Sequence, residues 1–136
     1  MITDLSSPDL DVSLQLDTFA PRAARHHVSL IDRPSPDLRD AVRLLTSELV
    51  SRAVQRCAGP RQDVLQLRVW MAQDVVRVEL HGPCELMDWP EHHDGTLYEL
   101  MLLDQLADRW AVDSGEPAAC AWFEIDRHRV NRDGAI

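Results

Sequence analysis

Two stretches of strict alternation, only three residues apart, limit what this chain can become more than any other feature. In Val64–Met71 the residues Leu65, Leu67, Val69 and Met71 fall on one side, and after Ala72-Gln73-Asp74 the residues Val76, Val78 and Leu80 repeat the pattern. A period of two sends successive side chains to opposite faces of a strand, so the pair predicts a β-hairpin with one apolar face. A two-stranded hairpin is marginal in water, and that face needs further strands and helices against it.

The flanking segments supply them. Leu14 and Leu16 alternate with Ser13, Gln15 and Asp17, which predicts a short first strand, and Pro21 opens a helix through Ala23, Ala24 and Val28 to about Ile31. A second helix has Ser35 as N-cap, Pro36 at its first position and Ala58-Gly59-Pro60 at its close, with Leu38, Val42, Leu45, Leu49 and Ala53 as its apolar stripe. Residues 81–95 hold two Pro and two Gly without a period and read as a long loop. A third helix is expected from Leu97 to near Asp113, carrying Leu100, Leu103, Leu106 and Trp110, before a last strand over Ala118–Ile125. This order predicts an α/β sandwich: a mixed, mainly antiparallel sheet with helices packed on one face. Residues 1–11 read as a flexible acidic tail, 12–126 as the folded domain and 127–136 as a polar C-terminal tail.

Charge narrows the partners. Fourteen Arg, with no Lys, stand against 23 Asp plus Glu, a formal net charge of −9. Binding phosphates needs clustered cations, so neither nucleic acid nor an anionic membrane is expected, and a neutral or basic protein surface is. No apolar run reaches the roughly 18–20 residues of a membrane span, and the first residues lack a signal-like pattern, which predicts a cytoplasmic protein. Cys57, Cys84 and Cys120 are odd in number and form no CxxC pair, as expected of reduced thiols.

His81, Cys84, His92 and His93 are ligand types that zinc prefers, but their spacing matches no established finger; they read as solvated loop residues, and no metal is expected. Trp70, outward on its strand by the alternation, and Trp89, in the loop, are candidate anchors for a protein partner. Trp110 and Trp122 are expected in the core, and Arg68 and Arg77 on a solvated face.

Four strings carry a family resemblance: LLTSELVSRAV (44–54), VVRVEL (75–80), LLDQLADRW (102–110) and AWFEI (121–125). Together, over about residues 12–126, the chain resembles the anti-sigma-factor serine kinases of the histidine-kinase-like (Bergerat, or GHKL) ATPase superfamily. The resemblance implies that superfamily's fold, ATP with Mg held between the sheet and a flexible lid, and homodimerisation. It also implies either phosphorylation of a serine on an anti-sigma antagonist or sequestration of a sigma factor.

The nucleotide-handling positions of that family are altered here. Glu48 matches the catalytic glutamate, but the metal-ligating Asn four residues on is Arg52, a cation that cannot coordinate a metal. The adenine-reading Asp falls at His81 or Gly82, the phosphate-loop glycines at Leu97 and Glu99, and the late Gly-Lys-Thr stretch at Ala118, Ala119 and Cys120. Thr96 and Glu99 form a capping-box pattern that would satisfy the helix-start amides and bring negative charge where phosphate sits in relatives. Glu48 and Arg52, four apart with Glu first, suit an ion pair that makes Glu48 a poorer base. The expectation is a pseudo-kinase with no cofactor, acting through protein contact in transcriptional or stress signalling. The alternative is an active protein serine/threonine kinase using ATP and Mg, with Glu48 as its catalytic base.

Overall fold

The computed structural model describes residues 7–31, 36–55, 64–82, 97–113 and 119–127, with the backbone alone at 36, 37 and 97–101. Along the chain run β1 (Leu10–Gln15), α1 (Ala20–Ser29), α2 (Pro36–Gln55), β2 (Val64–Met71), β3 (Val75–Gly82), α3 (Leu97–Leu106), β4 (Arg109–Asp113) and β5 (Ala119–Asp126). The strands form one open sheet in the order β1-β2-β3-β5-β4, an α/β architecture with all four ladders antiparallel rather than mixed.

The hairpin is present in the expected register. Met71 lies opposite Val76, Val69 opposite Val78 and Leu67 opposite Leu80, and Ala72 N–H closes the turn by donating to Val75 O at 3.0 Å. Leu65, Leu67, Val69, Val76, Val78 and Leu80 are all fully buried, as are Ala121 and Phe123 from β5. On the same face sit Leu14 of β1, Ala20, Ala24 and Val28 of α1, and the whole predicted α2 stripe, Leu38, Val42, Leu45, Leu49 and Ala53. Each fully buried large aliphatic or aromatic side chain contributes roughly 1.5–3 kcal/mol, which holds the helices to this face of the sheet.

Three expectations are corrected. The third helix ends at Leu106, and 109–113 form an edge strand instead, with Arg109 opposite Glu124 and Trp110 opposite Phe123. The three- and four-residue spacing of Leu100, Leu103, Leu106 and Trp110 imitates a helix, but Trp-Ala-Val has strand-compatible side chains that gain a ladder partner in β5. Asp108 secures the switch: its N–H donates to Glu124 O at 2.9 Å and its carboxylate accepts from Asp126 N at 2.7 Å. The first strand begins at Leu10, inside the stretch expected to be tail, and Asp9, just before it, already accepts from Met71 N at 2.6 Å. At the other end, beyond the expected domain boundary, Arg127 donates from Nη1 to Ala72 O at 2.8 Å. No helix among the described residues is long and apolar enough to cross a membrane.

Candidate functional site

Glu48 and Arg52 lie on the same helix, where α2 packs into the core. Arg52 is not a surface residue: it is only 5% exposed, Glu48 is half-buried, and neither side chain is free. A guanidinium therefore stands, buried, where the family resemblance places a metal-ligating amide, and an arginine side chain stays charged in proteins.

His81 and Gly82 end β3 and, being adjacent on a strand, face opposite ways. Gly82, opposite Ala119, is on the helix side. A Cβ built on it would lie 2.9 Å from Leu65 Cδ2, so the position is crowded by the core and offers no carboxylate to an adenine. Ala119, in the expected late phosphate stretch, is a buried core residue. α3 starts at Leu97; the side chains of Leu97 and Glu99 lie outside the described residues, as do Ser35, Cys57, Cys84, Trp89, His92, His93, Thr96 and Ala118.

The sheet face away from the helices holds an arrangement that periodicity alone assigned to solvent. On β3 every second residue, Arg77, Glu79 and His81, points there, and on β5 Cys120, Trp122, Glu124 and Asp126 do. Glu124 is completely buried. Its Oε2 accepts from Arg77 Nη1 at 2.8 Å and its Oε1 from Arg109 Nε at 2.8 Å. Arg77 Nε donates to Glu79 Oε2 at 2.7 Å, His81 Nε2 lies 2.8 Å from Glu79 Oε1, and Arg109 Nη2 reaches Asp126 Oδ1. The result is one row across three strands in which His81, Arg77 and Arg109 alternate with the carboxylates of Glu79, Glu124 and Asp126. Arg77 also lies 4.2 Å from the ring centroid of Trp122, a cation–π contact.

Further expectations change here. Trp122 belongs to this outer face and not to the core, while Arg77 is a member of the charge row with only 11% of its side chain exposed. Trp70, opposite Arg77, is on the outer face as the alternation predicted, yet is only 8% exposed and is not a free anchor. Trp110 is half-buried against the edge of the core, and its Nε1 donates to Asp104 at 2.7 Å. Arg68 is the solvated residue expected, 42% exposed beside Asp11.

The row sets its own protonation. Burial works to raise the Glu79 carboxyl, but hydrogen bonds from His81 and Arg77 outweigh it and hold the group below its usual range. Burial works to lower Arg77, and its bonds to Glu79 and Glu124 reverse that. Cys120 lies beside the row, its Sγ 3.7 Å from His81 Nε2. Burial, then the negative charge of Glu79, pushes its thiol up to about 12.

No family model and no curated protein matches this chain. Function is therefore read from the residues. Glu79 was not legible as a site residue, because it sits inside an ordinary strand pattern; Cys120 was expected only at a nucleotide-site position, and the β3–β5 register, which sequence spacing does not reveal, sets it opposite His81 instead.

Proposed function

We propose that this chain is a regulatory protein related to the anti-sigma-factor serine kinases that no longer handles nucleotide and acts by binding another protein. The observation that carries this reading is Arg52, a buried guanidinium four residues after Glu48, at the position where the resemblance calls for a magnesium ligand. A permanent cation there repels a divalent metal, and without the metal a triphosphate loses the ion that neutralises it. Gly82, crowded against Leu65, supports the same reading because position 82 carries no carboxylate to accept from an adenine amino group. The partner is a sigma factor or an antagonist of anti-sigma factors, met by a protein of net charge −9 through a neutral or basic surface. The setting is the cytoplasm, and homodimerisation belongs to the same proposal.

Calorimetric titration of the full chain with ATP and Mg tests it. The expected result is no saturable heat up to millimolar nucleotide and no phosphate transfer to serine. Micromolar binding that disappears on chelating Mg would overturn the reading in favour of an active kinase with Glu48 as base.

A further inference from the structure

The outer face of the sheet gathers three different ligand types at one point. Glu79 and His81 are two apart on β3 and so share a face, and Cys120 stands directly opposite His81 on β5. One ligand atom from each, a Glu79 carboxylate oxygen, a His81 ring nitrogen and Cys120 Sγ, lies within 4.8 Å of the other two. We propose that these residues form a binding site for a single thiophilic divalent cation, of which zinc fits best.

Distances favour it. Tetrahedral zinc, with Zn–N of about 2.0–2.1 Å and Zn–S of about 2.3 Å, separates its nitrogen and sulfur ligands by about 3.5 Å. His81 Nε2 and Cys120 Sγ are 3.7 Å apart. His81 Nε2 and Glu79 Oε1 are held at 2.8 Å by their own hydrogen bond. They need to open by about 0.5 Å to flank the ion. Both sit on paired strands, so the backbone already fixes the three directions and little ordering remains to oppose binding.

The surroundings fit a cation as well. Glu79 Oε1 faces the site while Oε2 is engaged by Arg77 Nε at 2.7 Å. This is the outer hydrogen bond that characteristically orients a ligating carboxylate. Asp113 lies opposite Cys120 on β4, adding negative charge at the rim. One thiolate, one carboxylate and one neutral imidazole together balance a 2+ ion. On binding, the Cys120 S–H proton leaves to solvent and the His81 proton moves from Nε2 to Nδ1, freeing the Nε2 lone pair. Sulfur and imidazole donors select zinc over magnesium or calcium, which prefer oxygen. Three protein ligands leave the fourth position to water or an incoming ligand, and His81, 30% exposed, puts that position toward solvent.

This site stands independently of the functional reading above, since none of its ligands handles nucleotide in that account. The test is titration of the chelator-stripped full chain with Co²⁺ as a spectroscopic probe and Zn²⁺ as competitor. One equivalent of Co²⁺ is expected to produce a thiolate-to-cobalt charge-transfer band that Zn²⁺ abolishes. The band is expected to persist in the double variant Cys57→Ser/Cys84→Ser and to vanish in Cys120→Ser. His81→Asn, at a partly buried strand end, guards against a folding artefact: with circular dichroism unchanged, it is expected to weaken Zn²⁺ by at least about tenfold. Absence of the band in the unaltered protein, its survival in Cys120→Ser, or an unchanged affinity in folded His81→Asn would each overturn the proposal.

Discussion

Replacing Glu124 by Gln isolates the energetic centre of the charge row. Both carboxylate oxygens are 2.8 Å from guanidinium nitrogens, Arg77 on one side and Arg109 on the other, and the residue is wholly buried. Removing one partner of a buried ion pair costs about 3–5 kcal/mol because the remaining charge is left uncompensated. The two arginines are not equivalent. Arg77 has 11% of its side chain exposed and Arg109 34%. Water can take over much of what Arg109 loses, and its share falls toward the roughly 1 kcal/mol or less of a surface pair. Each arginine also keeps a second carboxylate, Glu79 or Asp126, which moderates the loss. Glu124→Gln is therefore expected to destabilise the fold by about 3 kcal/mol, most of it through Arg77. Urea unfolding of Glu124→Gln, Arg77→Met, Arg109→Met and the two doubles, followed by far-ultraviolet circular dichroism, gives both coupling energies. The Arg77–Glu124 coupling should reach about 2 kcal/mol and resist salt, whereas the Arg109–Glu124 coupling should stay below about 1 kcal/mol and fade as salt rises. Equal couplings, or a loss under about 1 kcal/mol for Glu124→Gln, would refute the claim that burial sets the ranking.

Other positions give sharper yes-or-no outcomes. Thr46 is completely buried and its hydroxyl has no hydrogen-bond partner among the described residues; Thr46→Val should raise stability by about 1 kcal/mol in urea melts. Gly82→Asp places a side chain where a Cβ already comes within 2.9 Å of Leu65, and should cost about 1–3 kcal/mol without creating ATP binding by calorimetry. Cys120, with its thiol raised to about 12 by burial and Glu79, should alkylate slowly with iodoacetamide at pH 8 in the metal-free Cys57→Ser/Cys84→Ser chain. Because the folded state holds that proton more tightly than the unfolded one, the associated stability is present below about pH 8.5 and is lost as pH rises toward 12. Arg68→Ala, at a side chain 42% exposed, should shift stability by less than about 0.5 kcal/mol.

What could be read from the sequence follows the strength of the periodic signal. The hairpin and the α2 stripe combine long alternation or helical spacing with buried apolar residues on one face, so local preference and tertiary packing agree. At 109–113 they disagree: Leu106 and Trp110 complete a helical pattern, and pairing with β5 overrides it, a long-range gain invisible to local spacing. The outer face failed for a related reason. Alternation correctly sent Arg77 and Trp70 away from the helices and missed Trp122, but inferring solvent from polarity ignores neighbouring strands that pair charges and bury them. Of the candidate positions, Glu48 and Arg52 were placed on the expected helix, whereas His81 and Gly82, expected to open the loop 81–95, extend β3, because each gains a ladder partner in β5 that local spacing does not reveal. The Glu79–His81–Cys120 cluster needs residues 39 or more apart brought together by ladder register.

The shared carboxylate of Glu124 also disciplines strand alignment. β4 is a five-residue edge strand with a modest apolar signature. A slip of one place against β5 would turn Arg109 to the helix side, bury a guanidinium among aliphatic groups and strand Glu124 with a single donor. Misaligned pairings are thus penalised by electrostatics where hydrophobicity discriminates weakly, and a chain lacking that acid should lose not only stability but uniqueness at this rim.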